Sequence, residues 1–252
     1  MKAFRLVIAI AFLCASLAIT TRVVGQMVSM EASPGAIIAP GTDVTQVRLY
    51  DASLELKIQP VKYKDTAGIA HVTARFELMN LGATDESLAV RLPLSSQSGS
   101  GSRILELVVK VNGEQVPISE NLYPDPIGKK LEIIWAVFQA EFPSREQVTI
   151  EAEYVLPARG EEPYADFDFL FSTAAGWNGT IGKAIFHVTF PYEINTSNLL
   201  SISGLTGDVM HSISSSEGNE LTWVFHDLEP VQQNDFRIRL VDPTVWIELL
   251  EA

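Results

Sequence analysis

The sequence predicts an all-β protein folded as antiparallel sandwiches, and three observations carry that expectation. Period-two alternation recurs along the chain. Turn chemistry falls between the alternating runs. Helical patterning is almost absent. Val72, Ala74, Phe76 and Leu78 alternate with Thr73, Arg75 and Glu77. Val148, Ile150, Ala152 and Tyr154 alternate with Thr149, Glu151 and Glu153. Ala184, Phe186, Val188 and Phe190 alternate with polar residues such as Lys183, His187 and Thr189, and Phe236, Ile238 and Leu240 alternate with Arg237 and Arg239. Each run has one apolar and one polar face, as a half-buried antiparallel strand requires.

The turn signals agree. Asn112-Gly113 separates Leu107–Val111 from Gln115–Ile118. Asn-Gly adopts the positive φ values of a type I′ turn, which predicts a hairpin. Pro117 lacks an N–H, so its strand lies at an edge or ends there. Ser95–Ser102 reads as a polar, mobile loop. The polar stretch Pro157–Pro163 predicts a boundary between two immunoglobulin-like β-sandwich domains, 46–158 and 159–244, with a single extended sandwich as the alternative. Residues 245–252 form a tail. Pro243 to Ala252 suits a short helix, and Val245-Trp246-Ile247 would equally suit a last strand.

The N-terminus reads as a signal peptide over residues 1–25. Lys2 and Arg5 form a basic start, and Leu6–Ile19 is apolar but short of the ~20 residues of a membrane span. An uncleaved anchor is the alternative. The chain's single cysteine, Cys14, lies inside this segment. Cleavage before Gln26 would leave no thiol, no disulfide and no cysteine-bound zinc. Bulky Leu13 before Cys14 argues against lipoprotein processing. Residues 26–45, rich in Gly, Pro, Ala and Ser, read as a flexible leader. The expected location is secreted or cell-envelope.

The formal net charge is −13. Segment 1–25 holds Lys2, Arg5 and Arg22 and no acid, so the remainder is more acidic still. Such a surface repels nucleic acid and anionic lipid and favours solubility. It admits calcium, cationic polymers or basic proteins.

Few residues suggest chemistry. His71, His187, His211 and His226 are too far apart in sequence for a local metal motif, and no Gly-x-Ser-x-Gly elbow occurs. No catalytic residue, cofactor or metal site is assigned. Asp166 and Asp168 share one face of the run Tyr164–Phe171, opposite Phe167, Phe169 and Phe171. Paired carboxylates bind calcium or serve as acid and base, and they also make the solvated side of a strand with an aromatic core face. They are the calcium candidates. Trp135 and Trp223 sit in apolar runs and read as core. Trp177, in Ala175–Gly179, is the one tryptophan placed to serve as an exposed platform for a sugar ring, with Asn178 beside it. A tryptophan capping the core beneath a turn fits the same position. Asn178-Gly179-Thr180 and Asn195-Thr196-Ser197 match glycosylation acceptors.

Several motifs stand out in the second half: Gly176-Trp177-Asn178-Gly179-Thr180-Ile181-Gly182, Phe190-Pro191, Trp223-Val224-Phe225-His226-Asp227-Leu228-Glu229-Pro230 and Asp235. In the first half they are joined by Asn80, Gly82, Val111-Asn112-Gly113, Trp135, Phe138, Phe142-Pro143 and Tyr154. In these the chain resembles a family of exported bacterial β-sandwich proteins, a domain of unknown function. The resemblance spans most of residues 46–241 and implies a secreted or surface sandwich, with no catalytic residues to transfer. As fold determinants, Asp227 and Glu229 would cap a turn before Pro230.

Export, the β pattern and the lack of a catalytic constellation point to a non-enzymatic secreted or cell-envelope interaction or structural module. Its partner would be an envelope protein or polysaccharide. A carbohydrate-binding module using Trp177 and Asn178 is the alternative, and a carboxylate-dependent hydrolase the second.

Overall fold

A computed structural model describes residues 35, 37–42, 44–59, 68–95, 103–124, 132–160, 163–204, 213–241 and 247. The expected signal peptide, most of the Ser95–Ser102 loop, His211 and nearly all of the C-terminal tail lie outside them.

Alternation turns directly into strands. In order they are β1 (Val47–Gln59), β2 (Ile69–Asn80), β3 (Glu86–Pro93), β4 (Leu105–Val111), β5 (Glu114–Gln115), β6 (Ser119–Pro124) and β7 (Glu132–Phe142). They continue as β8 (Gln147–Pro157), β9 (Tyr164–Phe169), β10 (Ile181–Thr189), β11 (Leu199–Gly204), β12 (Ser215–Glu217), β13 (Glu220–Leu228) and β14 (Phe236–Val241). The described residues therefore form a mostly β protein. The even-numbered apolar positions of β2, β8, β10 and β14 named above are all buried. Asn112 (φ 51) and Gly113 (φ 84) take the two positive φ values of the hairpin turn between β4 and β5. The turn is also pinned to β8, because Asn112 Oδ1 accepts the Thr149 N–H at 2.9 Å. β5 ends before Pro117 and lies at the sheet edge.

The strands make three sheets. An eight-stranded sheet has the order β12-β13-β10-β1-β2-β8-β4-β5, and two three-stranded sheets have the orders β3-β7-β6 and β11-β14-β9. Inward residues of all three join one buried cluster. Phe169 of β9 meets Phe186 of β10 at 3.9 Å between ring centroids, and Phe236 of β14 meets Trp223 of β13 at 5.5 Å. These contacts place the β11-β14-β9 sheet over the β10–β13 end of the large one.

Three features differ from the sequence expectation. β1 pairs with β10 in parallel, from Asp51↔Lys183 to Lys57↔Thr189. The eight-stranded sheet thus runs across the boundary expected at 158/159, and its pairing is not wholly antiparallel. Alternation reports which face of a strand is buried, not which strand lies beside it or in which direction. The second correction concerns the leader. Residues expected to be flexible are part of the core: Ile37 and Ile38 are buried, and Ala39 pairs with Arg91 of β3 through two 2.9 Å backbone hydrogen bonds. An apolar pair can outweigh flanking Gly and Pro when the core receives it, since burying each Ile contributes about 1.5–3 kcal/mol. Trp135, expected in the core, is half-buried on β7.

Candidate functional site

Trp177 follows a single 3-10 turn, Ser172–Gly176, between β9 and β10. Its side chain is only 5% exposed. The indole Nε1–H donates to the Ile38 carbonyl at 2.8 Å, and the ring meets Phe142 edge-on at 6.0 Å between centroids. One turn earlier, the Thr173 hydroxyl lies 2.6 Å from the Ile37 carbonyl and 2.9 Å from the Leu170 carbonyl. Asn178, half-buried, donates its backbone N–H to the Val47 carbonyl at 2.8 Å. Gly176 is required here: a Cβ on it would stand 2.6 Å from Pro40 Cγ. The 171–178 segment is a latch that holds residues 37–42 and 44–47, the strap, against the core. Trp177 offers no exposed ring face for a sugar.

The latch is itself anchored by a residue that carried no chemical expectation. Asp235, 3% exposed, precedes β14. Its Oδ1 accepts the Ser172 N–H at 3.0 Å, and its Oδ2 accepts the Ser172 hydroxyl. Burial pushes the Asp235 carboxyl up to about 6, opposed by its hydrogen bonds from Ser172. In the sequence Asp235 stood only among the motif residues of the resemblance, directly before the alternating run that begins at Phe236.

Asp166 and Asp168 are not solvated. They are 5% and 4% exposed. β9 pairs with β14 so that Asp166 faces Arg239 and Asp168 faces Arg237. Arg239 donates to Asp166 from Nε and Nη2, both at 2.7 Å. Arg237 donates to Asp168 from Nε at 2.6 Å and Nη2 at 3.2 Å, and its Nη1 lies 3.9 Å from Asp166 Oδ2. Arg159 completes the group with an ion pair to Asp168. These bonds hold Arg237 and Arg239 more firmly protonated. The carboxylate pair named as the calcium candidate, and otherwise expected on a solvated strand face, is met by three guanidinium groups, which bond its oxygens and supply the positive charge a cation would bring. No group of three or more His, Cys, Asp or Glu that could hold a metal ion occurs among the described residues.

The remaining expectations resolve locally. His71 and His226 are exposed, while His187 is half-buried with Nδ1 2.8 Å from Thr222 Oγ1. Glu229 stabilises the turn before β14 through its carbonyl, which accepts the Val231 N–H and Asn234 Nδ2, rather than through its carboxylate. Asp227 adopts a positive φ of 48° and reaches Arg48 at 3.6 Å.

No family model and no curated protein matches the sequence. Solved structures do. A Legionella pneumophila protein described provisionally as nutrient binding matches with a TM-score of 0.64 at 14% identity, covering 85% of this chain and 73% of that one. That similarity shows a shared β fold. An M1 zinc metallopeptidase from Deinococcus radiodurans gives a TM-score of 0.41 at 12% identity, over 78% of this chain and 42% of that one. The chain thus spans less than half of the peptidase's length.

Proposed function

We propose that this chain is a non-enzymatic interaction or structural module, exported to the cell envelope or beyond, with an envelope protein or polysaccharide as partner. In this reading its two halves act as immunoglobulin-like lobes on a shared sheet. One observation supports it above others: the side chains that sequence would assign to ligand chemistry are spent inside the fold. Trp177 donates to Ile38, and Asp166 and Asp168 are held by arginines. Contact then falls to exposed surface. The outer face of the large sheet offers a broad polar row, in which Glu55 lies between Thr73 and His187, with Glu153 and Thr222 beyond them.

Affinity capture from the native envelope with the full chain, reading proteins and glycans together, tests this. The reading expects reproducible enrichment of one partner, weakened when outer-face charges such as Glu55 and Glu153 are reversed. Turnover of an envelope polymer by the purified chain would sink it. Glycan retention lost in Trp177→Ala at unchanged stability would shift the assignment to carbohydrate binding.

A further inference from the structure

The interaction reading leaves two Asn-x-Ser/Thr triplets unused, and their surroundings differ. In Asn178-Gly179-Thr180 the asparagine is half-buried next to Trp177. The Thr180 hydroxyl and carbonyl are taken by Arg48, whose Nη2 and Nε donate to them at 3.1 Å each. A transferase that must read the hydroxyl two residues after the acceptor would find it occupied.

The second triplet lies in the loop between β10 and β11, and Asn195, Thr196 and Ser197 are all exposed. The loop is well defined. Asn195 Oδ1 accepts the Ser197 N–H at 2.8 Å, while the Asn195 N–H donates to Asn198 Oδ1 at 2.9 Å. Asn195 is thus exposed, with its Nδ2 left without a hydrogen-bond partner among the described residues. The Ser197 hydroxyl is likewise unengaged among them. Exposed Glu193 stands two residues before the acceptor, where the first triplet has Gly176. An enzyme reading an acidic residue at that place would separate the two sites further.

We propose that Asn195 is an acceptor for N-linked glycosylation on the folded chain. The donor class is a lipid-linked oligosaccharyl pyrophosphate. A bond forms between Asn195 Nδ2 and the sugar's anomeric carbon. The bond from that carbon to the pyrophosphate oxygen breaks, its electron pair leaving with the lipid pyrophosphate, and the amide nitrogen gives up one proton to a base of the transferase. Use of the site in a cell rests on the export proposed above, and a periplasmic-reporter fusion tests that export separately.

The deciding experiment incubates the purified, folded full chain with an oligosaccharyl transferase and its lipid-linked donor, then maps the added mass by peptide mass spectrometry. The expected result is addition at Asn195 and none at Asn178. Asn195→Gln and Ser197→Ala abolish the addition, Ser197→Thr keeps it, and Glu193→Gln lowers it with a transferase that reads an acidic residue. A synthetic peptide spanning residues 190–200 serves as control. Modification of the peptide but not of the folded chain overturns the proposal, because the fold would then shield the site. Failure of both overturns it as well, because the triplet would not be read. Equal addition at Asn178 overturns it too, because the fold would then not select between the two triplets.

Discussion

The strap–latch junction and the Asp–Arg ladder both tie distant parts of the chain together, but by different physics. At the latch, Ile37, Ile38 and Trp177 leave water, and the polar atoms that meet the strap are neutral, one indole N–H, one hydroxyl and their carbonyl acceptors, with the Asp235 carboxyl standing behind them on Ser172. Apolar burial dominates, so the junction is a net source of stability. On the ladder, Asp166 and Asp168 are buried as charges, and desolvation offsets most of the attraction to Arg237, Arg239 and Arg159. The ladder contributes little net stability but penalises any misregister of β9 against β14, since a slip would strand a buried carboxylate. One region stabilises and the other specifies.

That contrast can be broken by substitution. The largest effect belongs to Ile38→Asp, which puts an unpaired charge where the strap is fully buried. A loss above about 4 kcal/mol in urea unfolding, or failure to fold, is expected. Next is Asp168→Ala, which leaves Arg237 and Arg159 without their shared carboxylate. About 2–4 kcal/mol should be lost, below the full cost of breaking a buried pair because both arginines are partly exposed. Replacing both partners, Asp168→Leu with Arg237→Met, should recover most of it. If the double change costs as much as the single one, the ladder is a stabiliser and the distinction fails.

A smaller effect depends on pH. The Asp235 carboxyl is raised from 3.8 to about 6 in the fold, so the folded state favours the protonated form. The stability this confers is full below pH 3.8 and is lost as pH rises through about 6. Asp235→Asn, a neutral stand-in, should flatten this dependence and gain on the order of 2 kcal/mol over the parent near pH 7. Thermal melts from pH 4 to 7 would show it, and parallel profiles for the two proteins would rule it out. The smallest effect is Thr173→Val, which removes the hydroxyl whose one proton is shared between the Ile37 and Leu170 carbonyls. About 1 kcal/mol is expected by urea titration.

The strands were legible in the sequence because alternation is a local property. Phe76, Ile150, Phe186 and Ile238 each lie on the face their neighbours implied, and Asn112-Gly113 turned where its φ preference required. What could not be read was long-range. Nothing in β1 or β10 announces that they pair in parallel, and nothing in Ile37-Ile38 shows that the core beside Leu170 and Trp177 receives them. The ladder was half-written: Asp166-x-Asp168 and Arg237-x-Arg239 share a spacing and have opposite charge, yet only the β9–β14 register turns them into partners. Trp177 was ambiguous for the same reason, since whether an indole caps a core or faces water depends on the strap that covers it.

The most direct test of a fold that spends its chemical side chains internally is Trp177→Ala, with melting temperature and glycan retention measured on the same preparation. This account predicts a loss of about 3–5 kcal/mol, seen as a fall in Tm of many degrees, with the strap released. An unchanged Tm with glycan retention abolished would contradict it and make Trp177 a binding residue.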